Sequence, residues 1–124
     1  MRARLVAASI GPLLLAAGCR APDLPGVGRV PGGDAQRGAA IVQRVGCGAC
    51  HAIPDLRFPR GLVGPPLGRM GRRTTIAGVL ANTPDNMVRW IQSPQSIKPG
   101  DAMPDMGLDA QQARDVAAYV EALP

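Results

Sequence analysis

Five consecutive residues, Cys47-Gly48-Ala49-Cys50-His51, constrain this chain more than any other feature. Two thiols stand three positions apart, and the only histidine of the chain follows the second at once. A thioredoxin-like dithiol would need a βαβ setting. Here no β-branched strand run precedes the motif, and Pro54, Pro59, Pro65 and Pro66 crowd the residues after it. Structural zinc takes four ligands, usually as two pairs, and the one other soft ligand is Cys19. C-x-x-C-H is also the attachment pattern of c-type haem. There each thiol adds across one vinyl group and the histidine becomes the proximal iron ligand. The motif therefore predicts one covalent haem c on Cys47 and Cys50, with His51 on the metal. Dithiol–disulfide exchange stays as the alternative.

Composition agrees with a fold built round a ligand. The 124 residues allow one domain. One Phe, one Trp and one Tyr supply little bulky core, and a small domain with a thin core needs a staple. Sixteen Gly and thirteen Pro favour draped loops over long regular elements. The formal charge of +5 falls to +3 when Arg2 and Arg4 are set aside with the leader. The remaining cations, mostly Arg, read as scattered and solvated. Without aromatic stacking platforms they do not suggest a nucleic-acid partner.

Residues 1–18 read as an export signal. Arg2 and Arg4 form a positive start, and the apolar run Leu5–Ala17 is short for a membrane span. The run closes on Ala16-Ala17-Gly18-Cys19, which resembles the lipobox of bacterial lipoproteins, cleaved before a cysteine that is then lipidated. The Leu usual three places before the cysteine is Ala16 here, with Leu15 one place early. An ordinary signal peptide with an incidental cysteine stays open. Lipid on Cys19 would leave no free thiol in an oxidising compartment, and two acyl chains anchor stably. Residues 19–32 then form the lipidated cysteine and a Pro/Gly tether, reaching roughly 40 Å when extended. The anchored domain would sit on the periplasmic side of a bacterial membrane.

Residues 33–124 form the folded domain. Asp34 caps a first helix whose stripe is Gly38, Ile41, Val42 and Val45, ending at Gly46. Gly38 on that stripe admits a close partner. The C-terminal helix, capped by Asp109 with Gln112, offers one: Ala113, Val116, Ala117 and Val120, with Tyr119 placed to lie across Gly38. Thr83-Pro84 starts a third helix, with Met87, Val88 and Ile91 inward and Trp90 nearby, and Ser93-Pro94 ends it. Lys98 to Pro104 is a constrained loop. No segment alternates as a strand.

This order of motifs resembles class I (mitochondrial-type) cytochrome c over residues 33 to 124. It runs from the Gly38 helix and C-x-x-C-H through Gly64-Pro65-Pro66-Leu67 and a short helix. A Pro-Gly-x-x-Met loop and the Tyr119 helix complete it. The stretch Arg73 to Gly78, with Asn82 to Asn86 and Arg89 to Gln95, is more narrowly similar to one domain. That is the cytochrome c domain fused to subunit II of some bacterial haem-copper oxidases.

The resemblance implies an all-α fold, three to five helices wrapped round one covalent haem, with the terminal helices packed together. It implies that the Pro65 carbonyl orients His51, that Met103 is the sixth ligand rather than Met106, and that Arg72 pairs with a haem propionate. Trp90 would lie against the haem, near the Met ligand; Met70 and Met87 read as core. With both axial positions filled, the implied activity is outer-sphere transfer of single electrons, not enzymatic catalysis. The implied partners are a membrane-bound terminal cytochrome c oxidase and a quinol-oxidising complex. A periplasmic dehydrogenase that keeps the protein as a subunit is the rival.

Overall fold

Two helices from the two ends of the domain meet where one of them has no side chain. The computed structural model, which describes residues 30–57 and 60–124, places α1 at Ala35–Val45 and α4 at Ala110–Ala122. A β-carbon on Gly38 would lie 2.0 Å from the Asp115 carbonyl oxygen and 2.9 Å from the Tyr119 β-carbon. Glycine is therefore what lets the backbones touch. Around the crossing, α1 buries Ile41 and Val42, and α4 buries Val116, Ala117 and Val120. Each Val or Ile so buried contributes about 1.5–3 kcal/mol.

Both helices begin where their cap residues require. Asp34 accepts from the Arg37 amide at 2.9 Å. Asp109 and Gln112 close a reciprocal box, the Gln112 amide donating to Asp109 at 2.8 Å and the Asp109 amide to Gln112 at 3.1 Å. Polar contacts across the apolar interface converge on Asp115. Asp115 is only 3% exposed and accepts from Arg37 Nε and Nη2, each at 2.8 Å. The Asp34 amide and Gln111 side chain donate to it as well. A buried carboxylate is costly unless its lone pairs are filled, and a bidentate guanidinium fills them best. The Arg37 hydrogen bonds hold the Asp115 carboxyl below the usual carboxylate range.

Between these helices the chain is mostly turns. A 3-10 turn covers Cys47–Ala49 and a second covers Met70–Arg72. A two-stranded antiparallel ladder follows, β1 Thr75–Ile76 on β2 Leu80–Ala81, where the sequence suggested no strand. Ala77 and Gly78 both take positive φ, 51° and 72°, the turn that suits a tight hairpin. Helix α2, Pro84–Gln92, starts on Thr83 as expected. It stops before Pro94, which then opens a single further turn, α3 Pro94–Ile97. Helix α2 packs on α4 and buries Met87, Trp90 and Ile91.

The packed domain begins earlier than residue 33. Val30, read as part of the tether, is 5% exposed and joins the core. The export segment 1–18, Cys19 and the tether through residue 29 lie outside the described residues. Among the described residues no helix is long and apolar enough to cross a membrane.

Gly38→Ala should destabilise the protein by about 2 kcal/mol through overpacking, although Ala is the better helix former by about 1 kcal/mol. Denaturant midpoints of the two proteins measure the sign. Asp115 has a second consequence. Its folded pKa is depressed, so its stabilisation is present above the unfolded value near pH 4 and is lost as pH falls through the lower folded value. Asp115→Asn should cost about 2 kcal/mol at neutral pH and flatten the acid limb of the stability–pH curve.

Candidate functional site

The attachment motif sits where α1 runs out. Gly46 takes φ 85° and its amide bonds the Val42 carbonyl at 3.1 Å, closing the helix. The chain passes directly into the 3-10 turn, with the Cys50 and His51 amides both bonded to the Cys47 carbonyl, at 3.2 and 3.0 Å. One compact turn thus presents two thiols and an imidazole together. Both thiols are free and half-buried. Burial pushes the Cys47 thiol above its ordinary pKa, which opposes nucleophilic dithiol chemistry, since that chemistry needs a lowered one.

A strap over residues 61–67 lies along this turn. Gly61 donates to the Gly48 carbonyl at 2.9 Å, Gly64 to Cys50 at 2.8 Å and Leu67 to Ala52 at 2.9 Å. At Gly64 the approach excludes a side chain, because a β-carbon there would stand 2.3 Å from His51 Cε1. His51 Nδ1 lies 2.7 Å from the Pro65 carbonyl oxygen. A carbonyl only accepts, so Nδ1 is the donor of this bond, which leaves Nε2 as the ring nitrogen facing away from it.

The loop bearing Met103 is tied to one side chain, Gln95. Its Nε2 donates to the carbonyls of Asp101 at 2.9 Å and Met103 at 2.7 Å, and its Oε1 accepts from Gly100 at 3.0 Å. Asp101 accepts from the Met103 amide at 3.1 Å, and its carboxyl is held low by Lys98. Met103 and Met106 are both half-buried against the core, whereas Met70 and Met87 are fully buried within it. Trp90 is 7% exposed. Arg72 is exposed and lines a cavity of about 300 Å³ with Gly68, Arg69 and Arg73. Arg73 is occupied with the strap, donating to the Pro66 and Gly68 carbonyls.

These residues fit haem c. The Cys47 and Cys50 thiols are the groups that haem vinyls add to, and the oriented His51 imidazole and half-buried Met103 thioether offer N and S donors of the kind that suits haem iron. Leu67, Leu80, Val88 and Ile97 remain half-exposed against the core, the kind of surface a flat apolar macrocycle covers. Sequence reasoning missed Gln95 and Asn82. The Asn82 amide donates to the Met70 and Arg73 carbonyls at 2.8 and 2.9 Å, locking the second 3-10 turn. Neither residue stands in a periodic pattern that would single it out.

Residues 35–124 match the family model described as cytochrome c. Cytochrome c oxidase subunit 2 of Alkalihalophilus pseudofirmus is 34% identical over 92 residues, covering 72% of this chain and 25% of that protein. The subunit 2 proteins of Bacillus subtilis and Bacillus sp. strain PS3 are 35% and 37% identical over 71 residues, 56% of this chain and 20% of each. The chain thus spans a quarter or less of the length of these curated relatives.

Gly64→Ala should force the imidazole off the Pro65 carbonyl. Loss of such a partner costs a metal-bound histidine about tenfold in affinity. An acid titration of the ferric haem-loaded variant, followed in the Soret band, should lose the low-spin spectrum about one pH unit above wild type.

Proposed function

This chain belongs to the cytochrome c family, and on that premise we propose that it passes single electrons to a membrane-bound terminal cytochrome c oxidase. Haem electron transfer itself follows from the family: the chain is an electron-transfer protein carrying covalent haem c, not an enzyme. The oxidase as acceptor is supported by the similarity to oxidase subunit 2 proteins. A quinol-oxidising complex is the matching donor.

The observation that carries the site assignment is the oriented imidazole beside two free thiols. Haem, when attached, supplies the iron that alternates between ferric and ferrous states. Cys47 and Cys50 would hold it through thioether bonds. His51 Nε2 would bind the iron, with Pro65 keeping the ring from turning. Met103 would offer its sulfur, a donor that raises the reduction potential. Gln95 would keep the Met103 loop in position. Arg72 would pair with a propionate, supported by the arginine-lined cavity beside it, and Trp90 would lie against the haem. We further propose that residues 1–18 are removed on export and that Cys19 carries lipid. The domain is then held on the periplasmic side, at high effective concentration beside membrane enzymes.

Met103→Ala should abolish the weak sulfur–iron charge-transfer band at the red end of the ferric spectrum, and Met106→Ala should leave it. The reverse result reassigns the ligand. Gln95→Ala should keep the band but let added imidazole displace the thioether about tenfold more readily, as expected of a lost positioning contact. Mass spectrometry of membrane-extracted protein should find diacylglycerol on an N-terminal Cys19; a soluble product starting elsewhere leaves only ordinary secretion.

A further inference from the structure

Among the described residues two side-chain atoms are buried without a hydrogen-bond partner, Asn82 Oδ1 and Glu121 Oε1. Both side chains pack on the second 3-10 turn, Met70–Arg72. The Asn82 amide donates to the Met70 and Arg73 carbonyls. Glu121 lies against the middle of the turn, where a β-carbon on Gly71 would stand 3.0 Å from Glu121 Oε2. The two orphans differ in chemistry. An idle amide oxygen is neutral at every pH. A buried carboxylate without a partner sheds its charge by taking a proton.

The elements packed on α4 offer that charge no partner. In the 3-10 turn Arg72 is exposed and lines the arginine cavity with Arg69 and Arg73, and Arg73 is held by the Pro66 and Gly68 carbonyls. On α1, Arg37 is committed to Asp115 and Arg44 is exposed. On α2, Asp85 and Arg89 are exposed, and the buried members are Met87, Trp90 and Ile91. On α4 itself Arg114 is exposed and Asp115 already holds Arg37. None of the ion pairs among the described residues includes Glu121. Burial alone therefore pushes its carboxyl above the ordinary glutamate value. Its 9% exposure still gives a proton a way in. The turn it presses on is the one that carries Arg72, the residue assigned to a haem propionate, so the carboxyl stands one residue from the haem's own charges.

We propose that Glu121 is a redox-linked proton site, so that the protein carries a proton together with its electron. On reduction of the attached haem by one electron from its donor, the Glu121 carboxylate takes one proton from solvent and becomes the neutral acid. On oxidation it returns that proton. The extra positive charge of ferric iron favours the carboxylate, and its loss favours the acid. The coupling is reciprocal. Ionised Glu121 stabilises the oxidised state, so the reduction potential falls as pH rises through the range where Glu121 titrates. The proposal rests on the attached haem and on no particular redox partner.

The test is a redox titration of the purified, haem-loaded protein at a series of pH values from about 4 to about 9, starting near the ordinary glutamate value. A roughly threefold difference in Glu121 proton affinity between the two oxidation states should lower the potential by about 30 mV across the series. Glu121→Gln, isosteric with the neutral acid, should hold the acid-end potential throughout. Glu121→Leu, which removes the carboxyl without a polar replacement, should do the same. Reduced-minus-oxidised infrared spectra of the wild type should show a carboxylic-acid C=O band that both variants lack. A wild-type potential that does not change with pH overturns the proposal. So does a fall in potential, or an infrared band, that survives in the variants, since the proton would then sit on another group such as a haem propionate. A chain that holds no covalent haem has no potential to titrate, and overturns the haem assignment and the proton site together.

Discussion

At Gly38 the backbone of α1 touches the backbone of α4, and the rest of the molecule is placed from that contact. The contact fixes where α1 ends, and Gly46 delivers the chain from that end into the attachment turn. The strap is bonded to the turn, so Pro65 reaches His51 only because the turn is already placed. On the other side α4 carries α2, and the α3 turn that follows α2 holds Gln95, which gathers the Met103 loop. The segments carrying His51 and Met103, about fifty residues apart in sequence, are thus referred to one helix crossing.

Polar groups inside this small domain are spent on position. The Arg37–Asp115 pair spans the helix crossing. A charged pair with one exposed partner adds modest stability, but removing one member strands the other. It therefore selects this crossing over neighbouring ones in which Asp115 would be buried alone. Glu121, on the same helix, shows the opposite case. It is 9% exposed, one of its carboxyl oxygens has no partner, and burial raises its pKa. It lies against Gly71, where a β-carbon would come 2.5 Å from the Glu121 carbonyl oxygen, so the second 3-10 turn is also pressed on α4, less closely than α1.

What could be read from sequence was local or unusual. Asp34, Thr83 and the Asp109–Gln112 box announce helix starts because capping needs only residues within one turn. Gly38 stands out as the wrong residue for an apolar stripe, and its reason is packing. The C-x-x-C-H motif is legible because its chemistry demands fixed spacing. The hairpin was not legible, since two residues per strand cannot show a period of two. Val30 was hidden in a Pro/Gly run with no neighbour to make a pattern. Asp115 was hidden because its burial depends on Arg37, 78 positions away. Gln95 ends a stretch that resembles a known domain, yet its work as a clamp exists only once the loop has folded back on it.

The account stands on covalent haem at Cys47 and Cys50. Its most direct test is the pyridine haemochrome spectrum with the intact mass of the protein, after expression beside a haem-attachment system. The account predicts one haem per chain, absorption of the two-thioether type and a mass raised by one haem that survives acid–organic extraction. A protein of unmodified mass whose two motif cysteines cycle between dithiol and disulfide would contradict it.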